Sequence, residues 1–392
     1  MYEAADEIRK CAASINDIGE RMEYRQLPRG NSTERFSVIG LGMGVHDCSD
    51  EEIERILRKA FSAGINFIDA CCIAQSFYGV LGKVIREMNI RDRVFLQVHF
   101  GAVYNTENAE YAWSRDYDLI KETFDRDLEL LETDYADFGM LHCIDDEADL
   151  EEMKKSGLFD HVRRLKEKGV IRHIGFSSHT PSLAHKILDT GLIDIMMFSI
   201  NPAYDAEKGD EWGKGEARER ADLFRRCEKE GVGISVMKPF YAGKLLKADE
   251  SPFGKALTVA QCLQYALDRP AVLTVVPGIS NDAELDELLA FPEKSPEEKD
   301  YSVLGSLTAG ITDGTCVYCN HCRPCPAGID IGLVNKYYDL AKAGDVIAAG
   351  HYDKLSVRAD ACTSCGHCDE RCPFHVRQSE RMTEIAAFFR KG

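Results

Sequence analysis

Residues 116–142, DYDLIKETFDRDLELLETDYADFGMLH, carry two periodicities in succession. From Asp116 to Leu131 the apolar residues recur at helical spacing, and from Phe138 to His142 a short β-rich apolar run reads as a strand. A helix returning into such a strand is the repeating unit of a parallel sheet. The same alternation extends in both directions. Further strand candidates are Ser37 to Leu41, Ile65 to Asp69, Val94 to Val98, His173 to Phe176, Ile193 to Phe198, Gly233 to Met237 and Leu273 to Val276. Amphipathic stretches lie between them, among them Glu51 to Ala63, Pro181 to Thr190 and Glu216 to Glu230. Eight strand-helix units between Met22 and roughly Phe291 predict an α/β fold, a (β/α)8 TIM barrel, since doubly wound sheets usually have fewer strands.

The barrel pattern stops at the polar, proline-containing stretch Pro292 to Asp300. Three parts follow: an N-terminal extension at 1–21 that reads as helical, a barrel at 22–300, and a second domain at 301–392 with helices expected at Ile329 to Ala343 and Ser379 to Arg390. A net charge of -18 argues against nucleic acid and anionic membrane as partners, because both repel an acidic surface. No charged-then-apolar leader and no apolar run long enough for a membrane span are present, so a cytoplasmic protein with reduced thiols is expected.

Eight of the 15 cysteines fall in the second domain, in the runs Cys316-x2-Cys319-x2-Cys322-x2-Cys325-Pro326 and Cys362-x2-Cys365-x2-Cys368-x3-Cys372-Pro373. Two 4Fe-4S clusters are the reading this spacing favours. In two-cluster ferredoxins the cysteine of the Cys-Pro pair usually ligates the other cluster, which groups Cys316, Cys319, Cys322 and Cys372 on one and Cys362, Cys365, Cys368 and Cys325 on the other. The first run is one residue short before its Cys-Pro. Paired CxxC knuckles can also hold structural zinc, but three-cysteine runs ending in Cys-Pro are unusual for it.

Barrel enzymes carry their chemistry where the strands end. Those positions are titratable here: His46, Asp69 with Cys71 and Cys72, His99, His142 with Cys143, Ser177 to His179, Asn201 with Tyr204, Lys238 with Tyr241, and Gly278 to Asn281. Asp69, His99 and His142 end three neighbouring strands and can gather around one substrate oxygen. Cys48, Cys71, Cys72 and Cys143 read either as small buried hydrophobes or, with His46, His99 or His142, as metal ligands or redox thiols.

The motifs Gly64-Ile-Asn-Phe-Ile-Asp69, Leu81-Gly82-Lys83, Arg93-Val-Phe-Leu, Asp137-Phe-Gly-Met-Leu-His142, Ile174-Gly-Phe-Ser177, Asn201-Pro202, Val236-Met-Lys-Pro239 and Pro277-Gly278 follow in order those of the aldo-keto reductase family. With the cysteine runs, the chain resembles the branch of that family bearing a C-terminal ferredoxin-like domain. The resemblance implies reduction of aldehydes and ketones with a nicotinamide cofactor, by an Asp, Tyr, Lys and His tetrad. Asp69 and His142 fall on two tetrad positions, whereas His99 stands at the lysine and Ala74 at the tyrosine. Tyr78, one helical turn on, is the remaining candidate phenol. Cofactor contacts would come from Ser177, Ser178, Asn201, Lys238, Gly278 and Ser280. Gly278 and Glu284 replace the family's phosphate-binding Lys and Arg, Leu288 its adenine-binding Asn and Met197 its strand-six Gln, and the acidic run from Asp282 repels a 2'-phosphate. NAD(H) is therefore expected before NADP(H).

These residues predict an oxygen-sensitive oxidoreductase whose barrel reduces a small carbonyl-type substrate with electrons passed through two 4Fe-4S clusters, Asp69, His99 and His142 handling protons. A ferredoxin or flavodoxin is the expected electron donor. The alternatives are an NAD(H)-dependent aldehyde or ketone reductase whose clusters serve structure or ferredoxin exchange, and an electron-transfer protein with a non-catalytic barrel.

Overall fold

The computed structural model describes residues 22–30, 33–42, 48–71, 75–105, 110–206, 213–304, 314, 316, 318, 320–342, 346–372 and 374–390. The expected extension at 1–21, and His46, Cys72, Ala74 and Cys319, lie outside them.

Eight parallel strands make one sheet: β3 (Leu41–Gly42), β4 (Phe67–Ala70), β5 (Phe95–Phe100), β8 (Ala136–Leu141), β9 (Ile171–Ser178), β10 (Ile195–Ser199), β11 (Gly233–Met237) and β12 (Val272–Val275). Bridges Ile39 to Val275 and Gly42 to Gly278 join the first strand to the last and close it as a barrel. The expected first strand, Ser37 to Leu41, is divided. Phe36–Ser37 (β2) pairs back with Tyr24–Arg25 (β1) in a hairpin below the barrel, and the chain then enters β3. Gly40 and Gly42 sit at this seam, where an added Cβ would come within 2.8 Å of the Phe67 carbonyl and 2.6 Å of the Val276 carbonyl, so no side chain fits. A second hairpin, β6 (Ala102–Asn105) with β7 (Glu110–Trp113), follows β5 and was not foreseen from the sequence.

Period-two alternation sorts the barrel interior into layers. Lowest is an aromatic floor, with the Phe36 ring 4.4 Å from that of Phe95 and 5.5 Å from that of Phe138. Two residues further along each strand the inward positions turn polar: Asp69 on β4, Gln97 on β5 and Ser235 on β11. One step higher stand His99 and His142. Helices at Asp50–Ser62, Tyr117–Leu130 and Ala217–Glu230 pack outside, the first fixed by a Ser49/Glu52 capping box.

Helices Ile331–Lys342, Val346–Asp353 and Gln378–Phe389 form the second domain around its own apolar cluster, with Tyr352 and Phe389 stacked at 3.8 Å. It docks where the strands begin. Lys336 pairs with Glu228 just before β11, and the Tyr301 hydroxyl, in the connecting segment, donates to Asp268 (2.8 Å) just before β12. A crevice between the two bodies is lined by Arg25, Arg269 and Val272 from the barrel and by Tyr318, Asn320 and Leu333 from the cysteine-rich part.

Candidate active site and cysteine cavities

One hydrogen-bonded chain climbs the barrel interior. Ser235 Oγ donates to Gln97 Oε1 (3.0 Å), and Gln97 Nε2 donates to Asp69 Oδ1 (2.7 Å). The same Asp69 oxygen lies 2.8 Å from His99 Nε2, and His99 Nδ1 lies 2.9 Å from His142 Nδ1. The register explains the meeting. Asp69 is paired with Gln97 and His99 with Met140, so the functional side chains project from adjacent inward positions and His142 follows one step past β8. Asp69, His99 and His142 are brought together as their strand ends suggested. Gln97 was missed, although it lies two residues before His99 and so on the same face.

Burial in the first place, and then the charges of His99 and Arg115, hold the His142 imidazole well below its ordinary pKa, so it is neutral near pH 7. Arg115 pins the loop that carries it, donating to the carbonyls of His142 (3.1 Å) and Cys143 (2.8 Å) and to Asp149 (2.7 Å). Cys143 holds a left-handed backbone, φ 49°, a strain that persists because these bonds over-determine the turn. Tyr78 is buried and its hydroxyl donates to the Ala70 carbonyl at 2.9 Å.

A second network stands beside the first. Asp145 accepts from the His179 amide (2.6 Å), shares 2.7 Å with His179 Nδ1, and takes bonds from Ser178 Oγ (3.1 Å) and Cys143 Sγ (3.4 Å). Lys238 Nζ is 3.0 Å from His179 Nε2, and the Lys238 carbonyl accepts from Asn201 (2.9 Å). Burial raises the Asp145 carboxyl, but the His179 bonds outweigh it and leave the group well below the ordinary carboxylate range. Burial and the neighbouring Asp145 push the Cys143 thiol up to about 12, so this cysteine is no thiolate nucleophile. Ser177 Oγ accepts from the Cys143 amide at 2.8 Å. The expected cofactor contacts Ser177, Ser178, Asn201 and Lys238 thus converge on one rim. Asp145, two residues past Cys143, organises them and was not singled out in the sequence.

Gly278 and Ser280 follow β12, at the start of the helix Asp282–Leu289. There the Ser280 amide donates to the Glu284 carboxylate (2.6 Å), and Asp282 pairs with Arg55 at 2.7 Å. The chain's own carboxylate therefore occupies an amide that a phosphate would use. The Glu284 and Asp282 carboxylates at this turn would repel a 2'-phosphate placed there.

In the second domain, Cys325, Cys362, Cys365 and Cys368 line one small cavity together with Ile329, Ile331 and Met382. Four thiols around one apolar pocket match the ligand set of a 4Fe-4S cluster, and the Ser364 amide donates to Cys362 Sγ at 3.4 Å, as amides do to cluster sulfurs. Of the other set, Cys316, Cys322 and Cys372 are described, and the Val376 amide donates to Cys372 Sγ at 3.4 Å. Cys372 and Phe374 pack into the apolar cluster of the barrel, not that of the second domain. Among the described residues no helix is long and apolar enough to cross a membrane.

A sequence profile of the Aldo/keto reductase family matches residues 38–258, and one of the 4Fe-4S dicluster domain matches residues 314–376. L-galactose dehydrogenase of Arabidopsis thaliana is 23% identical over 306 residues, 69% of this chain and 88% of that protein. The uncharacterized oxidoreductase YqkF of Bacillus subtilis is 26% identical over 288 residues, 68% of this chain and 90% of its own. Among solved structures, the holo form of an aldo-keto reductase from Bacillus halodurans superposes with a TM-score of 0.59 at 22% identity, covering 73% of this chain and 96% of that one. At that identity the likeness speaks for the fold.

Proposed function

Because the chain belongs to the aldo/keto reductase family and carries a 4Fe-4S dicluster domain, we propose that this oxidoreductase reduces a small carbonyl-type substrate at the barrel mouth, with the Asp69–His99–His142 chain in place of the phenol and lysine. The observation that carries the reading is the 2.9 Å contact between the two imidazoles, backed by Asp69. A proton on His99 Nδ1 points at His142 Nδ1. That leaves His142 Nε2–H for the substrate oxygen, which a neutral imidazole polarises as a hydrogen-bond donor. As the oxygen takes that proton, His142 draws one from His99 through Nδ1, and His99 keeps the proton on Nε2 that it donates to Asp69, so a neutral ring remains on each histidine.

Two routes bring the electrons. A reduced nicotinamide, when bound, supplies a hydride, and Ser177, Ser178, Asn201 and Lys238 are the residues that would seat it, with Glu284 selecting NADH over NADPH. The docking of the second domain favours this route. Its contacts with the barrel, Lys336 with Glu228 and Tyr318 and Asn320 beside Arg269, lie at the end where the strands begin, whereas His99 and His142 sit where they end, and the steps from Gly233 to Met237 alone span roughly 13 Å. The clusters would then exchange electrons with a protein partner such as a ferredoxin or flavodoxin. The other route passes electrons from the clusters to the substrate. It is favoured by the engagement of Ser178 and Lys238 with Asp145 and His179, which leaves a nicotinamide to compete for those contacts.

The test is anaerobic purification followed by titration of the reduced protein with NAD+ and with NADP+ while cluster absorbance is recorded. Recovery of the oxidised spectrum with NAD+ alone supports the first route. Cluster spectra indifferent to both nucleotides, with substrate reoxidising them directly, support the second. Turnover of no carbonyl substrate with either donor sinks the proposal.

A further inference from the structure

The polar chain inside the barrel has a neighbour that the reduction reading leaves unused. Cys71 is the first residue after β4, and its Sγ lies with one nitrogen each of His99 and His142 inside a sphere in which all three atoms are within 4.8 Å of one another. Both imidazoles are buried and Cys71 is half-buried, at the rim of the mouth. The pair of rings is itself informative. Two Nδ1 atoms 2.9 Å apart repel through their lone pairs unless a cation lies between them, either a proton or a metal ion.

We infer that Cys71, His99 and His142 form a metal site, with zinc as the ion its donors suit. Thiolate and imidazole are both zinc ligands, and three protein ligands leave a tetrahedral ion one open position, as in zinc sites that act on substrates. Zinc–nitrogen bonds of about 2.0–2.1 Å place two ligating nitrogens roughly 3.3 Å apart, so the imidazoles need open by only a few tenths of an ångström. The remaining nitrogen of His99 already rests on Asp69 at 2.8 Å, and that carboxylate would fix its tautomer and raise its basicity, as partners of metal-bound histidines do. Gln97, held by Ser235, in turn orients Asp69. Binding releases the Cys71 thiol proton together with the proton shared by the imidazoles, so affinity rises with pH.

The second candidate set in the barrel, Cys143, Asp145 and His179, lacks these features. Both nitrogens of His179 are already engaged, one by Asp145 and the other by Lys238, and an ion would have to displace the lysine.

The inference rests on the same mouth as the proposed reduction and names its ligand class: the open position takes an oxygen donor, the carbonyl or hydroxyl of the substrate. In that state the ion, rather than His142, polarises the oxygen.

The experiment uses the full chain, purified anaerobically and incubated with stoichiometric zinc chloride, with zinc and iron counted by mass spectrometry and zinc located by anomalous diffraction on either side of its absorption edge. Expected are about one zinc per chain and an anomalous peak bounded by Cys71, His99 and His142. Cys71→Ser and His99→Gln should each lower zinc at least tenfold, with the iron count unchanged as the measure of an intact fold. A wild-type protein without zinc at this position, or zinc retained in full by Cys71→Ser, overturns the inference. The proton-relay reading survives that result, because its own test is the effect of His142 on turnover. Conversely, zinc held at the triad in a protein that reduces no carbonyl would uphold the site and sink the reduction reading.

Discussion

His99 Nδ1 and His142 Nδ1 stand 2.9 Å apart at the upper end of the barrel, although their residues are 43 positions apart in the chain. This contact couples a carboxylate-anchored imidazole to one that burial keeps neutral. Replacing His142 by Gln preserves a donor of similar reach but breaks proton passage between the nitrogens. The expected result is a fall in kcat of about 10²- to 10⁴-fold with little change in KM, the range for loss of general acid–base help. Unchanged kcat in steady-state assays would remove the pair from the reaction.

The Glu284 carboxylate on the Ser280 amide predicts coenzyme choice. NADH should bind and NADPH should not, as read by quenching of intrinsic fluorescence. Glu284→Gln removes the like charge and should bring NADPH binding closer to that of NADH by about tenfold, or ~1.4 kcal/mol. Equal affinity of the wild type for both nucleotides contradicts the assignment.

Cys325, Cys362, Cys365 and Cys368 share one cavity, although the first comes from the other cysteine run. Cys325→Ala should therefore disturb the same cluster as Cys362→Ala. Each variant is expected to lose the electron paramagnetic resonance signal of one and the same reduced cluster, with iron falling from about eight to about four per chain. Loss of two different signals would mean that ligation follows the runs and does not cross between them.

Asp127, in the helix Tyr117–Leu130, is buried, and Arg126 lies 3.7 Å from its carboxylate. Desolvation raises its carboxyl to about 7. Between the unfolded value near 3.9 and this folded value, the native state binds the extra proton, so stability declines as pH rises through that window. Asp127→Asn should remove the decline and stabilise the protein above pH 7 by on the order of 3 kcal/mol. Urea unfolding at pH 5 and pH 8 checks this; a difference between wild type and variant that is the same at both values contradicts it.

Seven of the eight barrel strands were legible because each apolar run is short, β-branched or aromatic, and bounded by a helical pattern; Gly233–Met237 is found with the expected ends. The first strand was not. Its division depends on how Gly40 and Gly42 approach the last strand, a contact between chain segments more than 230 residues apart. Asp69, His99 and His142 could be found because strand ends converge in any barrel. Asp145 could not, since its importance comes from the His179 amide and ring folding onto it from the next strand. Nor could the docking face of the second domain be read, because Lys336 with Glu228 is an ordinary pair of surface charges until the fold aligns them.

That docking face has a kinetic consequence. On the proposed function, a protein carrier would reach the cysteine-rich domain from below the barrel and a small metabolite would enter from above, so neither would obstruct the other and both could be resident together. Intersecting lines in double-reciprocal plots of initial rates, with carrier and metabolite varied jointly, would then mark a ternary complex, and the molecule would work as a relay station with separate doors for electrons and for substrate.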